Sequence, residues 1–320
     1  MSDLEIHFQS GFWQTAAAVV RPFVRHPNPE DSPGVLWQYS SDDSQKILSV
    51  VIPTADAYRD GYLPKLLNQI GIQDFSAFEL ILVRGDPRQG RAINIGAALA
   101  RGKYLLTLDD DTSLPDPETF SKLLAFIETH PDIGIAGGNN VIPADVSPFV
   151  RRVMQQIPRR SWDPVQEITD SDLAEHPCMI MRTDEFMSVG GENELIPRGL
   201  DPYLRQEFRK LGKRVVVVPG VIYHHLPPDN LSRLLQQFYR NGRLAAYVNR
   251  NYPQWVIETP TDHLLARTRY PFSFRLIRFP VRLLNGLLTG KPLWFLCELF
   301  YALGFINEYL VNNSKQQHHV

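Results

Sequence analysis

Cysteine is nearly missing from this 320-residue chain: only Cys178 and Cys297 occur, far apart and in unlike surroundings. Two such residues make neither a disulfide framework nor a metal-ligand spacing, so a reducing cytosol is the expected compartment. A surplus of one charge is missing too. With 35 acidic and 33 basic side chains the formal net charge is −2, which excludes a wholesale nucleic-acid coat. Long apolar runs are lacking, and nothing reaches the roughly 18 uninterrupted residues of a membrane-spanning helix. The nearest stretch, Leu293 to Val311, is broken by Glu298, Asn307 and Glu308. The opening MSDLEIHFQSGFWQ carries acids where a signal peptide carries bases, and its small-residue run, Ala16 to Val20, is too short for an apolar core. No strand is followed by G-x-G-x-x-G, which excludes a dinucleotide-binding dehydrogenase. Repeats and low-complexity tracts are absent as well.

What is present is an ordinary globular composition, 43% hydrophobic and 21% charged. The length exceeds the usual domain size of about 100–150 residues, so one large domain with appendages, or two domains, is expected. Residues 1–45 carry no sustained period and end in turn-rich text, HPNPEDSPG and SSDDSQ, which reads as an N-terminal arm. From 46 to 252 the text alternates. ILSVVIP (47–53), FELILV (78–83), KYLLTL (103–108), IGIAGG (133–138) and RVVVVP (214–219) are short apolar runs of the kind buried on both faces of a sheet. Between them, apolar residues such as Tyr62, Leu63, Leu66, Leu67 and Ile70 fall at helical spacing. This order predicts an α/β domain with a mainly parallel central sheet. Residues 141–200 read as loop-rich with short apolar pieces such as CMIM (178–181), and a long helix is expected over about 229–250.

The third strand runs into Asp109, Asp110 and Asp111. Ligands of open α/β sheets bind at the carboxyl ends of strands. Two carboxylates at i and i+2 in extended chain point to one side, and a divalent cation held there grips a diphosphate. The alternative is a solvated turn before Pro115-Asp116-Pro117.

SVVIPT (49–54), FELILV, NIGAALARGKYLLTLDDD (94–111), VGG (189–191), GLDPYL (199–204), LGKRVVVVPG (211–220) and VIYHH (221–225) resemble, in order and spacing, a family 2 glycosyltransferase of the GT-A fold. The resemblance covers roughly residues 47–250 and implies a Rossmann-like nucleotide-sugar-binding domain, a nucleotide-diphosphate-sugar donor, a divalent cation (Mn²⁺ or Mg²⁺) and inversion at the anomeric carbon. It implies Asp111 as principal metal ligand, with Asp109 also on the metal and nearer the ribose, and Asp110 beside the donor. Pro53, Thr54 and Asp56 match the nucleoside-holding end of the first strand, although the family's usual Tyr-Asn is Ala55-Asp56 here. The family's Asp-Asp-Gly-Ser after the second strand is Arg84-Gly85-Asp86, so the base-reading acid is replaced by Arg84 or displaced to Asp86. Asn94 fits the helix beneath the donor. Arg88 and Arg91 lie in a loop aimed at the same rim, where the diphosphate contact competes with a plain surface charge.

The same resemblance makes Asp201 the catalytic base, without the Glu that often precedes it; helix capping by Asp201-Pro202 is the structural alternative. His224 and His225 fall where the family places a histidine near the metal. Arg240 and Arg243 either reach the donor phosphates or face solvent, and Trp162 in RRSWDP (159–164) is an acceptor lip or a buried ring. Alternative functions are a nucleotidyltransferase, disfavoured because TADAYRDGY stands where such enzymes carry a Gly-rich loop, and a catalytically silent glycan- or nucleotide-binding protein.

The segment 253–320 is expected to be a helical C-terminal extension. Residues 263–320 hold seven basic residues against two acids, leaving −7 for the rest. Arg267, Arg269, Arg275, Arg278, Arg282 and Lys291 are interleaved with aromatic and apolar residues. With Phe274, Ile277, Val281, Leu284 and Leu288 on the side opposite the arginines, the pattern predicts a helix lying on an anionic membrane surface, kinked at Pro280, at the inner face of the cell membrane; the alternative is a C-terminal subdomain packed on the catalytic domain through the stripe Leu296, Leu299, Phe300, Leu303, Ile306 and Leu310. The expected acceptor is a glycan or a lipid-linked glycan.

Overall fold

The computed structural model describes residues 4, 8, 14–15, 35–40, 47–265 and 272–317. In chain order the strands are β1 (Gln14–Thr15), β2 (Val35–Ser40), β3 (Leu48–Thr54), β4 (Phe78–Arg84), β5 (Tyr104–Thr107), β6 (Thr112–Ser113), β7 (Ile133–Asn140), β8 (Thr169–Asp170), β9 (Met179–Arg182) and β10 (Arg214–His225). The helices are α1 (Tyr62–Gly71), α2 (Gln89–Leu99), α3 (Thr119–Thr129), α4 (Pro148–Gln156), α5 (Thr183–Ser188), α6 (Leu200–Lys210), α7 (Leu231–Asn251), α8 (Phe272–Leu288) and α9 (Pro292–Gln317).

Strand β3 lies between β4 and β5, parallel to both. Its alternate side chains feed two cores. Val50 and Ile52 join Leu63, Leu66, Phe120 and Leu123 on one face, while Val51 joins Ile93, Ile95, Leu204 and Phe208 on the other. Helices α1 and α3 therefore cover one face and α2 and α6 the other, the reason these strands are apolar throughout. β7 and β10 form a second parallel pair. The CMIM piece, read from sequence as part of a loop-rich stretch, supplies β9, which inserts antiparallel between β5 and β7 and joins the two halves. The arm also contributes a strand that no period announces: β2 pairs antiparallel with β4 along all six residues, and Trp37 is buried there.

β10 continues past Pro219 to His225, beyond the expected end of the strand. Its register shifts between Val217 and Ile222. The buried Asn139 stabilises the irregularity by donating from Nδ2 to the carbonyls of Val218 (2.8 Å) and Val221 (2.9 Å), which the interrupted ladder leaves free. The end of β10 then pairs antiparallel with β6, setting His225 opposite Thr112.

At the C-terminus α9 packs along α7. A Cβ on Gly242 would meet the Tyr301 carbonyl oxygen at 1.9 Å, and one on Gly304 would meet that of Tyr239 at 2.0 Å. Glycine at both positions lets the helix backbones touch. Among the described residues one helix, Pro292–Val311, is long and apolar enough by length and composition to cross a membrane, and 28% of that window is buried within the structure. Its interrupting acids have partners in the protein: Glu298 accepts from Arg282 Nη2 (2.8 Å) and Glu308 from Arg243 Nε (2.9 Å). Arg267 and Arg269, and the side chains of Phe274, Arg275, Ile277 and Arg278 on which the amphipathic reading draws, lie outside the described residues.

Candidate active site

The acidic triplet follows the carboxyl end of β5 in a turn closed by the Thr112 N–H donating to the Asp109 carbonyl at 3.0 Å, and the turn divides the three carboxylates. Asp110 turns under the end of β3, where Thr54 Oγ1 donates to its Oδ2 at 2.7 Å. Asp109 and Asp111 turn to the other side. His225 Nε2 lies 3.0 Å from Asp111 Oδ1 and 3.9 Å from Asp109 Oδ2. Ligand atoms of Asp109, Asp111 and His225 all fall within 4.8 Å of one another. Carboxylate oxygens with one imidazole nitrogen form a donor set that could hold Mn²⁺ or Mg²⁺. Gln89 Nε2, at the start of α2, donates to Asp109 Oδ1 at 2.8 Å.

The electrostatics are those of like charges forced together. Burial, then Asp111 and Asp201, push Asp109 up to about 7 against the pull of His225 and His176. Asp110 is raised to about 6, first by burial and then by Asp111. Burial also works to raise Asp111, but His225 and Arg59 outweigh it and hold that carboxyl well below the ordinary range. His225 is raised, burial being overcome by Asp111 and Asp109.

His224 does not join this cluster. Successive side chains of a strand point to opposite faces, and its Nδ1 instead meets the Val141 carbonyl at 2.6 Å. The sequence leaves open which of the two histidines faces the acids; His225 is the one that meets them, and its backbone N–H is pinned by Asn140 Oδ1 at 3.0 Å.

Asp201 lies in the first turn of α6, after Gly199 in the left-handed region at φ 86°. It does not cap the helix. Its Oδ1 accepts from the backbone N–H of His176 at 2.8 Å, across 25 residues of sequence. The His176 ring is buried between Thr107 Oγ1, 3.2 Å from Nδ1, and Glu192 Oε1, 2.8 Å from Nε2. Burial disfavours the charged ring, yet Asp201 and Glu192 raise it to about 9. In return His176 and Arg205 hold Asp201 below the usual carboxylate value in spite of burial. Asp201 is tied to the strand end that carries the acids through His176, whose backbone N–H it accepts and whose ring meets Thr107, two residues before Asp109.

The other residues of the expected donor and acceptor sites range from buried to exposed. Asp86 and Arg91 form a buried pair, Nε to Oδ2 at 2.8 Å, with side chains 0% and 2% exposed. Asn94 exchanges two hydrogen bonds with the Glu192 backbone, at 2.9 and 2.8 Å, and so ties α2 to the segment before α6. Arg88 Nη1 donates to the Glu194 carbonyl at 3.1 Å. Asp56 is exposed and accepts from Tyr58 and Arg59 N–H groups, shaping the loop after β3. Pro53 is half-buried at the end of β3. Of the two arginines on α7, Arg243 pairs with Glu308 and Arg240 is exposed. Trp162 is half-buried, edge-on to His263 at 6.1 Å between centroids, and lines a cavity with Val141, Gln155 and Pro164.

Arg59, His176, Glu192 and Asn140 escape the sequence reading. Each acts through a partner tens of residues away, and none stands in a motif.

Residues 82–185 match the family described as Glycosyl transferase family 2. An uncharacterized glycosyltransferase of Haemophilus influenzae is 26% identical over 183 residues, which are 49% of this chain and 60% of that protein. The chain thus matches less than two thirds of that relative's length. The mannosyltransferase PcManGT from Pyrobaculum calidifontis, solved in complex with GDP-Man and Mn²⁺, shares the fold, with a TM-score of 0.51 over 84% of this chain and 88% of that chain at 12% identity. Residues 82–185 thus match glycosyl transferase family 2, within a fold shared with the Pyrobaculum mannosyltransferase.

Proposed function

We propose that this protein is a metal-dependent inverting glycosyltransferase that moves a sugar from a nucleotide-diphosphate-sugar to a hydroxyl of a glycan or lipid-linked acceptor. The observation that carries the reading is the meeting of Asp109, Asp111 and His225 at the end of β5, with Asp201 tied to the same strand end through His176 and Thr107. Asp109, Asp111 and His225 would hold a divalent cation, which would offset the charge that develops on a departing diphosphate. The Mn²⁺ and GDP-Man of the Pyrobaculum enzyme support that choice of ligands.

Asp201 takes the proton from the acceptor hydroxyl. Its Oδ1 is held by the His176 N–H, which orients the carboxylate and leaves Oδ2 to approach the hydroxyl. Its low pKa keeps it ionised near neutrality, as a general base requires. Thr54 and Pro53 border the nucleoside end of the crevice, with Asp110 fixed beneath. Asp86, Arg91 and Asn94 serve as the frame that seats α2.

The C-terminal helices supply the membrane side of the reading. Val281, Leu284, Leu287 and Leu288 on α8, and Leu303, Ile306 and Leu310 on α9, are exposed at helical spacings. An apolar stripe beside a basic segment suits an anionic bilayer surface. Full-length protein carrying Leu284→Asp and Leu288→Asp is expected to lose sedimentation with anionic liposomes; unchanged sedimentation would remove the membrane from this reading.

Incubation with a panel of nucleotide sugars and Mn²⁺, following nucleotide release, tests the activity. One donor is expected to turn over, and Asp111→Ala to abolish the release. Tight nucleotide binding without turnover on any donor would favour a silent binding protein instead.

A further inference from the structure

The loop after β3 places a cation where the site has most need of one. Arg59 reaches Asp111 Oδ2 with Nη2 at 2.6 Å and Nε at 3.0 Å, and Asp110 Oδ1 with Nε at 3.4 Å. Asp111 is thus shared: Oδ1 faces His225, and Oδ2 faces Arg59. Resting on the reading of Asp109, Asp111 and His225 as a metal site, we infer that Arg59 is a resident counter-cation in the free protein. When metal and nucleotide enter, it moves from Asp111 onto the diphosphate of the donor.

Four observations support this. The Arg59 side chain is 44% exposed, so its guanidinium lies at the rim and not in the core. Asp111, its partner, is 12% exposed, so the pair is open to solvent on the guanidinium side, where a donor diphosphate would approach. The loop holds three non-glycine residues in the left-handed region, Ala57, Arg59 and Asp60 at φ 63°, 49° and 54°, a conformation that persists only where surrounding contacts impose it. Those contacts are local to the loop, apart from one exposed ion pair: Asp56 Oδ1 accepts from the Tyr58 and Arg59 N–H groups at 2.9 and 2.8 Å, the Gly61 N–H donates to the Tyr58 carbonyl at 3.0 Å, and Asp60 Oδ2 accepts from Arg233 at 3.1 Å. Thr54 Oγ1 couples loop to acids, because it donates to Asp110 while accepting from the Ala57 N–H at 3.1 Å. Finally, the chemistry has a direction. A divalent cation on Asp111 repels a guanidinium, whereas diphosphate oxygens attract one and match its planar fork.

The test uses the full chain as wild type, Arg59→Ala, Arg59→Lys and Asp111→Asn, with matched melting curves to verify folding. Mn²⁺ alone is titrated by electron paramagnetic resonance, and UDP and GDP are then titrated calorimetrically in saturating Mn²⁺. Arg59→Ala is expected to bind Mn²⁺ alone at least threefold more tightly than wild type. It should hold the better nucleoside diphosphate at least tenfold more weakly, with Arg59→Lys in between. Unchanged or weaker Mn²⁺ binding, or unchanged diphosphate binding, in Arg59→Ala overturns the inference alone, provided Asp111→Asn loses Mn²⁺. If Asp111→Asn binds Mn²⁺ as wild type does, or no form binds it, the metal site falls and the inference with it.

Discussion

His225 Nε2 stands 3.0 Å from Asp111 Oδ1, while the ring of its neighbour His224 is turned to the Val141 carbonyl. Adjacent histidines on one strand thus have different tasks. His225→Ala is expected to weaken Mn²⁺ binding at least tenfold. His224→Ala should leave it within threefold and cost about 0.5–1.5 kcal/mol of stability for the lost hydrogen bond. Metal titration and urea unfolding of the two variants check this, and equal loss of Mn²⁺ in both would contradict it.

Asp201 is held through one carboxylate oxygen by the His176 N–H. Asp201→Asn keeps the size and one acceptor oxygen but cannot take a proton. Turnover should fall by about 10²–10⁴-fold, with nucleotide affinity within threefold of wild type. Steady-state kinetics beside calorimetry separates the two effects; a matching loss of affinity would make Asp201 a binding group.

Asp109 gives the metal-free protein a pH dependence of known sign. Its carboxyl titrates near 7 when folded, against 3.8 as the ordinary value, so between these limits the folded state binds more protons. The stability this group contributes is full below pH 4 and is lost as pH rises through 7. In EDTA, the melting temperature of Asp109→Asn relative to wild type is therefore expected to increase from pH 4.5 to pH 7.5. A difference that stays constant with pH would exclude the raised carboxyl.

The buried Arg91–Asp86 pair offers a test of frame against donor contact. Removing one partner strands a buried charge, which costs about 3–5 kcal/mol. Arg91→Met should show that loss in chemical unfolding while its folded fraction binds nucleoside diphosphate normally. Weakened binding at full stability would return Arg91 to the donor site.

Gly242 and Gly304 hold α7 against α9 at backbone contact. Alanine at either position must push the helices apart, at about 1–3 kcal/mol as overpacking typically costs. Thermal unfolding of Gly242→Ala and Gly304→Ala reads this directly, and wild-type melting would show that the helices are not so close.

The runs at 47–53, 78–83, 103–108, 133–138 and 214–219 announce their strands because burial on both faces demands continuous apolar residues, and a strand end closing in three acids announces the site. β9 and β2 escape notice. The first is a short apolar piece set in loop-rich text, and the second borrows its stability from pairing with β4. The triplet's division is not legible in the same way, since Asp110 and Asp111 stand in a turn closed by Thr112 and not in extended chain.

By itself, then, the sequence determined an α/β domain, the placing of the acids at a strand end, and the motif order that marks the family. Local period and strand geometry suffice for these. Only the tertiary structure decided that His225 and not His224 meets Asp111, because that depends on how β10 pairs with β6. It alone set Asp201 on the His176 N–H instead of on a helix cap, and turned Asp86 and Arg91 towards each other. Long-range pairing and buried charge decide such matters, and both depend on residues far apart in the chain.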